Sequence, residues 1–396
     1  MALCNPYLLS AAGFIFAYLL FALRLSGLYP APTLSVFIFI SVFVLLTVLL
    51  GISFNKTIKH PLSQSKKEEL KPNTKRFTIT YFGLLLFFII ELGYNQKIPL
   101  LEAIKGSKYN YQDFSFPLLH ILFTSFTSFF SVLCFFVYLK SKNKRYLVYF
   151  ATGLLIFLTL IYRSNIVVIL LSCGFIYLSH RKISTSKILK AFGFVLLLLY
   201  AFGLVGDVRT RSQIGDDSDF TVESLMKATY ADEVFQNAPS LHMFYWSYLY
   251  ISSPVANFQK TINDLSYSNN NYDPYDFIIY EVFPDVIGKR IAEYYELQGG
   301  DSPMSKIIPF LNVGTAFADA FVFLEWYGVI IIAICMLITP YIVYKLTPRK
   351  LLIVNLSVCS VTLSLCTFSN MLVYATLTLQ LFYPALTSSI FFRRTS

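Results

Sequence analysis

Long apolar runs alternate with short polar connections along most of the chain. Ten of these runs are close to the roughly 20 residues that a helix needs to cross a bilayer. They cover residues 7–28, 33–54, 77–94, 117–139, 146–162, 165–180, 190–206, 326–345, 351–369 and 371–392. The pattern predicts an all-α polytopic integral membrane protein with about ten transmembrane helices.

One stretch, residues 207–325, departs from this pattern, and we call it the long loop. It is polar and acidic, and it is rich in Tyr, Asp, Asn and Pro. A connection of this length is far longer than usual, and such loops are usually functional. We therefore predict transmembrane helices 1–7 in residues 1–206, an extracytoplasmic long loop containing short amphipathic helices, and helices 8–10 in residues 326–396.

An aromatic, amphipathic segment at 239–259 lies inside the long loop. It could form a helix at the membrane interface, where Trp and Tyr side chains sit at headgroup depth, or an eleventh span. A single extra span would move the C-terminal basic clusters to the other side of the membrane. The interfacial interpretation is therefore favoured.

The basic residues predict the orientation of the chain. Twenty of the 32 Lys and Arg lie on one side of the ten-helix arrangement, together with only two of the 22 acidic residues, Glu68 and Glu69. Basic residues prefer the cytoplasmic side, so both termini are predicted to be cytoplasmic and the long loop to lie outside. The net charge of +10 then reflects topology and attraction to anionic lipid, and it does not indicate nucleic-acid binding.

The composition supports a membrane location and signals no bound cofactor. The chain is 56% hydrophobic and only 14% charged, whereas soluble domains have about 25% charged residues. All six cysteines lie in or beside apolar runs, and none has the spacing of a metal site. The chain also lacks a phosphate-binding loop and the nucleophile elbow of hydrolases. We expect no metal and no cofactor.

Three arginines lie at the predicted outer membrane face. Arg163 is in the tight turn between the fifth and sixth apolar runs, and Arg209 and Arg211 follow the seventh. Guanidinium groups bind phosphate oxygens in a fork, so these residues could hold a lipid-carried pyrophosphate. The alternative is that they are boundary residues whose side chains reach the headgroups.

Four other titratable residues lie near the same face. Asp319 and Glu325 stand where the chain re-enters the membrane, and either carboxylate could act as a general base. His120 opens the fourth apolar run and could serve as a proton donor, a base or a packing residue. Glu91 could pair with an outer arginine or reach the interface. Most other acidic residues of the long loop, Glu281 among them, are predicted to be solvated.

Four stretches together resemble a known family. They are GYNQKIPLLEAIKGSKYNYQDFSFPLLHILF (93–123), LTLIYRSNIVVILL (158–171), Arg209 after the following span, and SPVANFQ (253–259) with IPFLNVGTAFADAFVFLEWYGVII (308–331). In their order they are similar to the Wzy-type O-antigen or oligosaccharide repeat-unit polymerases of bacterial inner membranes.

The resemblance implies a metal-independent glycosyltransferase without a cofactor. It would move a growing glycan from undecaprenyl pyrophosphate to the sugar of an incoming undecaprenyl-pyrophosphate-linked unit, at the outer face of the bacterial inner membrane, for O-antigen, capsule or exopolysaccharide. Its partners would be this lipid-linked glycan, membrane lipid, a chain-length regulator and a flippase, and not nucleic acid. Arg163, Arg209 and Arg211 would hold the pyrophosphate. The acceptor hydroxyl would be activated by Asp319, with Glu325 and His120 as alternatives.

Three other functions stay open at this point. An O-antigen ligase has a similar layout but transfers glycan to the lipid A core. A lipid-linked oligosaccharide flippase or other transporter is less favoured, because the chain has no visible internal repeat and only one large outer loop. A receptor or scaffold would give the buried arginines no purpose.

Overall fold

The protein was analysed as a computed structural model. It describes residues 5–67, 70–105, 114, 116, 118–180, 193, 196–197, 199–200, 203, 222–265, 272–296 and 303–393. Every regular element in these ranges is a helix, and the described β-structure consists of two isolated bridges, Ser26 with Ala231 and Pro72 with Phe392. The predicted all-α fold class is confirmed for this part of the chain.

Fifteen α-helices are described, with short 3-10 turns at Pro239–Leu241 and Arg349–Leu351 and a π turn at Ile278–Val282. They are α1 (Pro6–Ala22), α2 (Leu34–Lys67), α3 (Thr74–Asn95), α4 (Pro99–Ile104), α5 (Leu119–Ser141), α6 (Lys144–Thr159), α7 (Arg163–His180), α8 (Val222–Ala228), α9 (Glu233–Gln236), α10 (His242–Leu265), α11 (Pro274–Phe277), α12 (Asp285–Tyr294), α13 (Ala318–Leu346), α14 (Leu352–Leu365) and α15 (Ala375–Phe391).

Nine of the ten predicted spans coincide with one of these helices. The seventh span falls on six described positions between 193 and 203, and all six are helical. By length and composition, five helices are able to cross a membrane, namely α2, α3, α5, α7 and α13, and α1 is a shorter apolar helix. The chain is therefore a membrane protein, and the count of ten spans stays a prediction.

Among the nine helices that coincide with predicted spans, α14 is the shortest, and it lies at the centre of the helices. Residues 352–363 are all buried, and α14 contacts α1, α2, α5, α7, α13 and α15. With 14 residues it is about 21 Å long, which is shorter than the roughly 30 Å hydrocarbon core. Its apolar side chains therefore pack against protein, whereas α2 and α3 expose theirs, as helices that face lipid do.

The helix α2 continues well beyond the span predicted at 33–54. Phe54, Ile58 and Leu62 are buried at a spacing of four residues, and the Phe54 ring lies 5.8 Å from that of Tyr344 in α13. This stripe gives the helix a packing surface past the membrane-length portion. The first part of the predicted basic connection 54–76 is consequently helical.

The helix α13 begins eight residues before its predicted start at residue 326. Its backbone leaves helical geometry at Leu324 and Glu325 and then resumes the helix. Asp319 lies on the short first part. The two parts approach closely, because a Cβ atom on Gly328 would lie 2.3 Å from the carbonyl oxygen of Ala320.

The predicted inner connections meet at one end of the helices. Asn73 N donates to Phe391 O at 2.8 Å, Pro72 forms a bridge with Phe392, and Lys350 Nζ lies 5.2 Å from the centre of the Phe392 ring. This end joins the starts of α3 and α14 to the end of α15. The charge pattern had placed all three connections on one side.

At the other end, the described parts of the long loop pack on the connection between α1 and α2. Gly27 N donates to Tyr230 O at 2.8 Å, and Leu25 N donates to Tyr248 Oη at 2.9 Å. Most of α10 is buried against α1, α8 and α13, and α10 is not among the five candidate spans. Its interfacial position stays a prediction.

Candidate functional site

A buried asparagine on α10 fixes the approach to Asp319. Asn257 Nδ2 donates to Leu311 O at 2.7 Å and to Val313 O at 2.8 Å, and its Oδ1 accepts from Ile307 N at 2.8 Å. A proline-containing α10 thus holds the non-helical segment 303–317, which leads directly into α13. The two parts of the fourth sequence stretch, 253–259 and 308–331, are therefore in contact.

Asp319 has a second carboxylate as a neighbour. Glu281 lies on the π turn and is only 7% exposed. Asn370 Nδ2 donates both to Glu281 Oε2 at 2.9 Å and to its backbone oxygen at 3.0 Å. Burial, together with the nearby Asp319 carboxylate, raises the pKa of Glu281 to about 8. Glu281 therefore keeps its proton at neutral pH, which avoids two adjacent negative charges.

The prediction that Glu281 is a solvated loop residue is wrong. Its neighbours in sequence contained a usable signal, because the segment 277–283 reads FIIYEVF and is apolar on both sides of the carboxylate. A single glutamate in such a segment is either paired or buried in a site. The pairing with Asp319 itself, across about 40 positions of sequence, had no local signal.

Glu325 occupies the break in α13. Its backbone has φ of 49° and ψ of −137°, a conformation that residues other than glycine rarely adopt. Tyr272 Oη donates to Glu325 Oε2 at 3.3 Å. The side chain is thus held toward the start of α11 and away from the regular part of the helix.

His120 is the centre of a hydrogen-bonded chain across three helix ends. Its Nδ1 lies 2.6 Å from Glu91 Oε1 near the end of α3, and its Nε2 lies 2.8 Å from Tyr162 Oη just before α7. Glu91 is fully buried and also accepts from Phe116 N at 3.3 Å. We call these three residues the Glu91–His120–Tyr162 chain.

The chain engages both ring nitrogens of His120. Nδ1 faces the carboxyl group of Glu91, and Nε2 faces the Tyr162 hydroxyl. The expected position of Glu91 at the interface is wrong, and among the described residues its hydrogen-bond partner is His120 and not an arginine. The helix ends of α3 and α5 meet below the surface and bury this carboxylate against His120 instead.

Arg163 directly follows this chain and is the first residue of α7. It is exposed, so the expectation of a buried arginine is wrong at this position. Two positions later, Asn165 is 6% exposed, and its Nδ2 has no hydrogen-bond partner among the described residues. Arg209 and Arg211, the other two predicted pyrophosphate ligands, lie outside the described residues.

The Arg163 region and the Asp319 region lie at the same end of the helices. Val168 of α7 packs in one cluster with Leu377 and with the partly buried Met371. The residue before Met371 is Asn370, which binds Glu281 beside Asp319. The turn between α14 and α15 therefore lies between the two regions, with Met371 in the cluster of Val168 and Asn370 bonded to Glu281.

Residues 3–236 match the family model described as "Putative O-antigen polymerase". The chain belongs to the O-antigen polymerase family. This finding confirms the resemblance seen in the sequence, and it assigns the protein a role in O-antigen polymerisation through a glycosyltransferase-like activity. No curated protein and no solved structure shows significant similarity to the chain.

The family match covers α1 to α9 and ends before α10. It therefore includes Glu91, His120 and Arg163, whereas Asp319 and Glu281 lie beyond it.

Across the described residues of this family member, no three His, Cys, Asp or Glu side chains converge as metal ligands.

Proposed function

We propose that this O-antigen polymerase family member joins lipid-linked oligosaccharide units at the outer face of the bacterial inner membrane. It transfers the growing glycan from undecaprenyl pyrophosphate to the sugar of an incoming undecaprenyl-pyrophosphate-linked unit. The observation that carries the proposal is the position of Arg163 and Asp319 at one end of the helices, linked through the turn that contains Asn370. One region suits the leaving pyrophosphate and the other suits the acceptor hydroxyl.

On the donor side, Arg163 binds the pyrophosphate. Its guanidinium can form two parallel hydrogen bonds to phosphate oxygens. It stands at the N-terminus of an 18-residue helix, where the helix dipole also favours an anion. Arg209 and Arg211, on the segment that follows the seventh span, complete this cationic pocket.

On the acceptor side, Asp319 is the general base. The bond between the anomeric carbon and the pyrophosphate oxygen breaks, a bond to the acceptor oxygen forms, and the hydroxyl proton passes to Asp319. Glu281 is protonated at neutral pH, because burial and the nearby Asp319 carboxylate raise its pKa to about 8. Glu325 and His120 are the alternative candidates for this role. Glu325 accepts from Tyr272, and both ring nitrogens of His120 face partners.

The test is polymerisation by the purified protein in vesicles that contain undecaprenyl-pyrophosphate-linked units and no lipid A core. We expect polymer of many units, with release of undecaprenyl pyrophosphate. Arg163→Ala and Asp319→Asn should each lower the rate by about 100-fold or more. The matched controls are Arg290→Ala and Glu293→Gln, which change the two exposed partners of one ion pair on α12.

Three results would overturn the proposal. Transfer only to added lipid A core would identify a ligase. Movement of lipid-linked units across the bilayer without joining would identify a transporter. Unchanged polymer length and amount in both Arg163→Ala and Asp319→Asn would remove the assigned site.

A further inference from the structure

We propose that Glu91, His120 and Tyr162 are positioning residues that hold the first turn of α7 in the geometry that binds the donor pyrophosphate. This inference rests on the proposed function of Arg163. It assigns a role to two residues, Glu91 and Tyr162, that do not themselves contact the substrate, and it replaces a chemical role for His120 by a positioning one.

The first argument is the position of Tyr162. Ile166 N donates to the backbone oxygen of Tyr162 at 3.3 Å, so Tyr162 occupies the N-cap position of α7. Ser, Thr, Asp and Asn are preferred there, because their side-chain oxygen accepts from the N–H groups of the first turn. The Tyr162 hydroxyl is instead hydrogen-bonded to Nε2 of His120. It cannot cap Ser164 and Asn165, whose N–H groups are then suited to an anion.

The second argument is the side chain of Asn165. It is buried in the first turn of α7, two residues after Arg163. Its amide Nδ2 has no hydrogen-bond partner among the described residues. A buried amide donor without a partner is costly. Arg163 and Asn165 are two positions apart and do not share a helix face, so this donor calls for a second acceptor at the first turn, which another oxygen of a bound pyrophosphate would supply.

The third argument is the rigidity of the chain behind Tyr162. Glu91 is fully buried, and its Oε1 approaches His120 Nδ1 to 2.6 Å, a distance typical of a charge-assisted hydrogen bond. The imidazole ring is perpendicular to the Tyr162 ring, with centroids 5.4 Å apart. Phe114 and Phe123 pack beside the pair and exclude water, which strengthens both hydrogen bonds. Tyr162 is thereby fixed, and Arg163 is the next residue.

The experiment measures binding of inorganic pyrophosphate to the full-length protein in nanodiscs by calorimetry. A second arm tests competition by nanodiscs that carry undecaprenyl pyrophosphate, which separates a free anion from a lipid headgroup. Glu91→Gln and Tyr162→Phe should each weaken pyrophosphate binding about three- to tenfold, the effect of one hydrogen bond. In the polymerisation assay, KM for the lipid-linked unit should rise by a similar factor while kcat stays within about twofold.

The matched control is Tyr383→Phe. Tyr383 Oη also bonds to a side chain of α5, Ser125 Oγ at 2.8 Å, but it lies on α15. This variant also removes a tyrosine hydroxyl that bonds to a side chain of α5, and it should bind pyrophosphate like the wild type. If Glu91→Gln fails to fold, Tyr162→Phe decides the matter alone.

The outcomes separate this inference from the proposed function. Loss of pyrophosphate binding in Arg163→Ala with unchanged binding in Tyr162→Phe would overturn only the positioning role. An equal loss in Tyr383→Phe would also overturn it, because the effect would then be a general loosening of α5. Unchanged binding in Arg163→Ala would overturn the donor site of the proposed function itself.

Discussion

Asn257 shows how much one buried side chain determines in this protein. It is fully buried and supplies three hydrogen bonds to the backbone of residues 307–313. That segment has one turn bond of its own, from Leu311 N to Ile308 O at 3.1 Å, and the asparagine amide supplies partners for further backbone groups. The position of Asp319, which follows this segment, therefore depends on α10.

We expect Asn257→Ala to lower the free energy of unfolding by about 2–4 kcal/mol, because it leaves two carbonyls and one N–H without partners. It should also lower the polymerisation rate. Thermal denaturation in detergent measures the first effect. Asn263→Ala, on the same helix, removes one bond from a partly exposed residue and should cost less than about 1 kcal/mol. Equal losses in the two variants would contradict the prediction.

The raised pKa of Glu281 predicts how the free energy of unfolding depends on pH. Its pKa is raised from 4.5 to about 8, first by burial and then by Asp319. The folded state therefore keeps a proton that the unfolded state releases above about pH 4.5. The stabilisation is fully present below that pH and is lost as pH rises through about 8, at up to about 1.4 kcal/mol per pH unit.

The measurement is the thermal midpoint between pH 5 and pH 8.5. It should fall with rising pH in the wild type and fall less steeply in Glu281→Gln, whose amide does not titrate. Asn370 can still donate to the amide oxygen of this variant, so the main hydrogen bond is kept. Parallel curves for the two proteins would show that another group causes the dependence.

At the scale of elements, the break in α13 decides where the chemistry can occur. In an unbroken helix, the part that contains Asp319 would continue straight along the axis of the predicted span. The non-helical Leu324 and Glu325 turn the first part back, and Gly328 permits the close approach to Ala320. Phe277 of α11 also lies against this point. The packing of the two parts of α13 and of α11 at this point therefore depends on Gly328, which has no side chain.

Gly328→Ala should separate the two parts of α13, because the new methyl group would meet a backbone oxygen that cannot rotate away. We expect a loss of about 1–3 kcal/mol in stability and a lower polymerisation rate through displacement of Asp319. Gly174→Ala in α7 is the control, since a Cβ there meets no atom within 4 Å. A fully active Gly328→Ala variant would argue against the close approach.

At the scale of the whole molecule, the helices sort the connections into two groups. The basic connections around Lys350, Pro72 and Phe392 meet at one end. The connection between α1 and α2 and the described parts of the long loop meet at the other. The charge pattern, applied with the preference of basic residues for the cytoplasm, predicts the side of each group.

Reporter fusions test this arrangement. A reporter that is active only in the periplasm should be active when fused after Asp217, and a reporter that is active only in the cytoplasm should be active after Arg393. The reason is the cost of moving many basic residues across the membrane. Cytoplasmic activity after Asp217 would reverse the predicted topology.

The sequence by itself determined the features that depend on local pattern. Apolar runs placed nine described helices to within a few residues at most ends, because the hydrophobic requirement of a bilayer is met residue by residue. The turn that contains Arg163 was visible for the same reason. The family resemblance also came from sequence order alone and was confirmed.

Only the tertiary structure decided the partners of the buried polar groups. Glu91 with His120, Glu281 with Asp319 and Asn257 with residues 307–313 join positions that lie far apart in the chain. The continuation of α2 and the break in α13 likewise depend on packing against other helices. Such pairings follow from which surfaces meet in space, and the hydrophobic pattern of a single segment carries no information about its partner.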